Sequence, residues 1–164
     1  MLQPGRLVSE YTISGAEFLA VTESILNYTN RDFLQSANIF VRLTDLKSLV
    51  AIQYPIPTGV ETKIDIFENA IIANYTFEIY QLQSTFNRID GADMMHALNV
   101  FDLFCRNGRK IDSIDYFIDV VRFKNFLSVI FRHKNNPPGG RGGEGFWASI
   151  SYQDGSVIRS ALSR

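Results

Sequence analysis

Several groups of residues in this 164-residue chain are of types that do chemistry elsewhere, and one dominates. Pro137-Pro138-Gly139-Gly140-Arg141-Gly142-Gly143-Glu144-Gly145 packs five glycines and two prolines into nine positions, which rules out a helix or a central strand. Successive backbone amides in such a turn can cradle an anion. A nucleotide loop, however, leads into a helix whose N-terminus faces the phosphates, and a Walker loop also needs Gly-Lys-Ser/Thr. Here the segment leads into Phe146-Trp147-Ala148-Ser149-Ile150-Ser151-Tyr152, a strand pattern. Phosphate chemistry thereby loses its main support. Arg141-Gly142-Gly143 also matches one unit of the Arg-Gly-Gly type that binds RNA, but those segments act by repetition. Two readings of residues 135–145 stand side by side: a pliable hairpin tip, or a contact arm that orders against a neighbour. In the second reading Arg141 and Glu144 supply opposite charges beside Phe146 and Trp147, the sole tryptophan. Arg and Trp are common interface anchors.

The remaining reactive residues are sparse. Asp93 and His96 lie three apart on a helical pattern and share a face, but no second His or Cys completes a metal set. They read as a solvated helix face. Cys105 falls on an apolar stripe and reads as a small core residue. Asp112, Asp115 and Asp119 would form one acidic stripe on a helix, the wet face opposite Ile111, Ile114, Ile118 and Val121. No Gly-x-Ser-x-Gly elbow is present. We therefore expect no catalytic residue, no metal and no cofactor.

Composition bounds the rest. Hydrophobic residues make up 46% and charged residues 20%, an ordinary globular balance for one domain. Aromatics reach 13%, with 13 Phe, which suits either a core or a surface buried on assembly. A net charge of -1 gives no field for nucleic acid or acidic membranes. A single cysteine excludes an intrachain disulfide framework. No apolar run approaches the length of a membrane span, and no signal peptide is evident. A cytoplasmic origin is expected, in a cell or in a virus assembling inside one.

The elements that must position these residues read as an α+β domain over residues 1–164, with a mainly antiparallel sheet of four or five strands packed on two or three helices. Residues 1–13 form an irregular lead-in. Ser14 and Glu17 suggest a capping box for a helix near 15–28. Asn38–Leu43 and Leu49–Tyr54 have strand character. Ile71, Ala73, Tyr75, Phe77 and Ile79 alternate with more polar residues, so 69–83 is expected as one long strand with a usable edge. Asp90 caps a helix from Gly91 to Arg106 along Met94, Leu98, Phe101 and Cys105. Ile111 to Val121 fits a short helix slightly better than a strand. Phe123–His133 and Phe146–Tyr152 are strands, and 154–164 is a short basic tail.

This order, carried by the strand Ala70 to Leu82, the helix Asp90 to Arg106 and the strands Phe123–His133 and Phe146–Tyr152, resembles the small α+β phage proteins that terminate the tail tube or complete the neck. The resemblance covers the chain from about Val50 onward. It implies a non-enzymatic virion structural protein that forms a homo-oligomeric, hexameric ring with other tail or neck proteins as partners. It implies no membrane and no sequence-specific nucleic-acid binding. Two other expectations remain open: a small-ligand or anion-binding enzyme domain with residues 137–145 as a lid, and a cytoplasmic adaptor that recognises peptides along the edge at 69–83.

Overall fold

The computed structural model describes residues 7–26, 31–56, 61–106, 111–135 and 145–163. In chain order these form β1 (Leu7–Ser14), α1 (Gly15–Ile25), β2 (Asn38–Leu43), β3 (Ser48–Pro55), β4 (Thr62–Glu68), β5 (Ile71–Ile72), α2 (Ile79–Thr85), β6 (Asn87–Asp90), α3 (Gly91–Cys105), β7 (Tyr116–Phe123), β8 (Phe126–His133), β9 (Gly145–Ser151) and β10 (Val157–Ser163). The protein is α+β. Its strands form two antiparallel five-stranded sheets, where one sheet of that size was expected. The chain divides into two compact units, Met1–Gly15 with His96–Arg164, and Ala16–Met95, and each holds one sheet.

In the first unit the strand order is β1-β7-β8-β9-β10. Alternation sets its inner face: Ile118 and Val120 on β7, Leu127, Val129 and Phe131 on β8, and Phe146, Ala148 and Ile150 on β9 are all buried. Phe104 of α3 covers this face, stacked on Phe146 at 5.0 Å and edge-on to Tyr116 and Phe131. Each large side chain buried here contributes about 1.5–3 kcal/mol.

Three expectations for this unit are corrected. Residues 1–13 are not all irregular, because Leu7–Ser14 pairs with β7 from Leu7↔Phe123 to Ser14↔Phe117. Its polar sequence hides a strand with Ile13 as its one fully buried side chain. The tail after Asp154 is a strand as well. Asp154-Gly155 is a turn, with Gly155 at φ 70°, and the chain returns along β9. Ile111–Val121 is not a helix. Asp112 caps a short 3-10 turn over Ser113–Asp115 by accepting from the Ile114 amide, and β7 begins at Tyr116. The period-2 pattern Tyr116, Ile118, Val120 outweighs the helical spacing because both neighbours of β7 are strands.

In the second unit the order is β5-β4-β3-β2-β6. Phe40, Leu49, Ala51, Ile66, Leu82 and Phe86 form one core cluster, with Ile64, Ala73 and Phe77 packed against it. The long strand expected over 69–83 does not form. Asn69 and Ala70 both have positive φ, 49° and 67°, and turn the chain after β4. The Asn69 side chain accepts the Ser48 amide at 2.8 Å, which holds that turn. Ile71 and Ile72 then pair with β4, and the Ala73 amide donates to the Ile66 carbonyl at 2.8 Å. Glu78 opens α2 through a capping box with Gln81, and Leu82 is carried into the core. The predicted apolar face is thereby split. Phe77 packs edge-on to Phe86 at 5.4 Å, while Ile71 stays exposed. Asp90 caps α3 as expected, accepting from Ala92 and Asp93 amides at 3.0 and 3.3 Å.

Candidate contact surfaces

The strands flanking the glycine-rich segment lie where the sequence put them. β8 and β9 are adjacent and antiparallel, with Phe131 opposite Phe146. Arg141 and Glu144 lie outside the described residues. Phe146 is 7% exposed, and its ring is used against Phe104, so it faces the unit's core and not a neighbour. Trp147 points the other way. It sits half-buried on the outer face, beside Ile130 of β8 and Ala161 of β10. The pair expected to share a role is thus divided between the two faces of one strand.

The other reactive residues are also placed. Asp93 is 2% exposed, which corrects its reading as part of a solvated face. The acidic stripe does not exist, because Asp112, Asp115 and Asp119 fall on a cap, a 3-10 turn and a strand. Asp119 lies on the outer face of the first sheet, where it accepts from Thr12 Oγ1 at 2.7 Å and from Arg132. The Arg132 guanidinium also lies 4.9 Å over the Phe117 ring. Its hydrogen bonds to Asp119 raise its pKa further. Cys105 is half-buried, and burial followed by the nearby Asp102 charge pushes its thiol up, the reverse of an activated nucleophile. Among the described residues no three of His, Cys, Asp and Glu converge as metal ligands, and no helix is long and apolar enough to cross a membrane.

What the sequence did not announce is the pair of strands that end the first sheet. β1 on one side and β10 on the other are exposed along most of their length, including Leu7, Val8, Val157, Ile158 and Leu162. Asp154-Gly155 ahead of Val157-Ile158 is a hairpin signal, and the alternation of Tyr11 with Ile13 is the weaker hint for β1. The registers run straight across the sheet. Glu10 lies opposite Val121, Val121 opposite Ser128, Ser128 opposite Ser149, and Ser149 opposite Arg159. Glu10 and Arg159 therefore occupy the two ends of one cross-strand row, on the same face.

The second sheet has its own exposed group at β5. Ile71 and Ile72 are open, Tyr75 donates to Glu68 at 2.6 Å, and Lys47 lies 3.5 Å from the same carboxylate. The long peptide-binding edge expected at 69–83 reduces to these two β5 residues. Compared with known proteins, the chain matches no family model, no curated protein and no solved structure.

Proposed function

We propose that this protein is a non-enzymatic structural subunit that works by joining copies of itself and other proteins into an assembly. The observation that carries the reading is the first sheet, which ends on both sides in an exposed strand with apolar side chains. Soluble proteins usually guard such edges, and a repeated subunit covers each edge with the next copy. Its most specific form is a phage tail terminator or neck ring. The helix Gly91–Cys105 and the strands β8 and β9 support that form. The strand expected over Ala70–Leu82 gives it no support, because the segment is a turn, two strand residues and a helix.

Two measurements test the reading. Sedimentation of the full chain over a range of concentrations should show a closed oligomer of defined size. Mass spectrometry of purified virions from a host that carries the gene should find the chain in stoichiometric copies. Its absence from the particles removes the virion role. A strictly monomeric protein that also joins no particle removes the structural role altogether.

A further inference from the structure

We propose that copies join through the first sheet, with β10 of one copy laid parallel against β1 of the next and Arg159 facing Glu10 across the seam. The inference rests on the assembly reading above and names its partner as a second copy of this chain.

Direction comes first. Every neighbouring pair in the sheet is antiparallel, so over five strands β1 and β10 run the same way. Head-to-tail repetition of the sheet then makes the seam a parallel pair. Charge comes second. β1 carries one charged residue, Glu10, and β10 carries one, Arg159. Both are exposed, and neither forms an ion pair among the described residues. They stand at opposite ends of a single row, so repeating the sheet without a shift brings them together. Pairing two like edges would instead bring two carboxylates or two guanidinium groups to one seam. Neither strand contains Pro or Lys, the common guards of a free edge.

The neighbouring rows agree. Each edge strand has one irregularity, between Leu7 and Ser9 and between Val157 and Arg159, and both lie at the same end of the sheet. The regular runs that remain, from Glu10 and from Arg159 onward, face one another. Following the registers, Ala161 meets Thr12, and Leu162 meets Ile13. The row ending in Leu162 contains Phe146, Phe131, Ile118 and Ile13, all buried, yet Leu162 itself is 46% exposed. A second copy at this edge would cover it.

The test uses the full chain with Cys105→Ala, carrying Glu10→Cys and Arg159→Cys together. Within one copy these positions are separated by four strand spacings, about 19 Å, well beyond the ~7 Å that a disulfide tolerates. Under mild oxidation the pair should give a ladder of linked species beyond the dimer. Each single variant should stop at dimer or below. In parallel, Glu10→Arg and Arg159→Glu should each weaken self-association about tenfold, and the double exchange should restore it. Circular dichroism of each variant separates lost folding from lost assembly. If the wild type forms oligomers but the cysteine pair gives no ladder, this seam is overturned while the assembly reading stands. A wild type that stays monomeric at every concentration overturns the seam as well, and the particle measurement then decides the assembly reading.

Discussion

Arg132 clasps Asp119 with two nitrogens, Nε to Oδ2 at 3.0 Å and Nη2 to Oδ1 at 3.2 Å. The two residues lie diagonally on β8 and β7, and Thr12 of β1 donates to the same carboxylate. One acidic side chain thus ties three strands. Two-pronged geometry with partial burial puts such a pair near the upper end for surface ion pairs. A double-mutant cycle of Arg132→Ala and Asp119→Ala in denaturant unfolding should show a coupling of about 1 kcal/mol. Arg132→Lys should recover little of it, because an ammonium can neither fork onto the carboxylate nor lie flat on Phe117. Zero coupling would refute the pairing.

Tyr75 and Glu68 give the protein a predictable alkaline and acid response. Partial burial, then the hydrogen bond and charge of Glu68, push the Tyr75 phenol up to about 12. The Tyr75 hydrogen bond in turn holds Glu68 below its usual range. The raised phenol stabilises the fold below its ordinary pKa of 10.0, and that contribution disappears as pH rises through about 12. The lowered carboxyl contributes above its ordinary 4.5 and loses its contribution as pH falls through its depressed value. Tyrosinate absorbance, taken as wild type minus Tyr75→Phe, should have its midpoint near 12. Glu68→Gln should move that midpoint toward 10 without reaching it, since burial remains. A wild-type midpoint already at 10 contradicts the bond.

Asn69 does two jobs that alanine cannot combine. Its φ of 49° suits Asn better than most residues, and its side chain satisfies the Ser48 amide. Asn69→Ala should cost about 1–2 kcal/mol in unfolding free energy. Asn69→Asp, which keeps the acceptor, should cost clearly less. Equal losses in the two variants would show that the side-chain bond contributes nothing.

Two glycines sit where backbone meets backbone. A Cβ on Gly15 would lie 2.0 Å from the Ser113 carbonyl oxygen, and one on Gly91 would lie 2.1 Å from that of Leu34. No side chain can rotate away to relieve either contact. Gly15→Ala and Gly91→Ala should each lose more than ~3 kcal/mol or fail to fold. A melting temperature unchanged in either variant would mean that the close approach is wrong.

The legible parts of this fold are those in which local pattern and tertiary pairing agree. Asn38–Leu43 and Leu49–Tyr54 read as strands because their apolar runs are buried in the middle of a sheet. Asp90 announced α3, since a cap is a local interaction. Edges were illegible for the opposite reason. β1 and β10 need bury little, so their sequences carry almost no alternation. The segment after Asn69 departs from the expectation because its period-2 pattern is genuine but its backbone is broken by a turn tied to Ser48, a contact between residues 21 positions apart. Of the expected contact residues, Phe146 turns inward onto Phe104, because strand alternation alone does not say which face meets α3.

The division of the chain into two units also sets an order of events. Thr12 reaches Asp119 across 107 residues, and the whole of Ala16–Met95 lies between them. Closing a loop of that size costs about 4 kcal/mol of chain entropy before any pairing repays it. During synthesis the interrupting unit is complete before Tyr116 has been made, so it can fold first and shorten the gap. β1 is thus made before every other strand of its sheet and must wait for β7 before it can pair. Speed of maturation, more than final stability, is where that arrangement should tell.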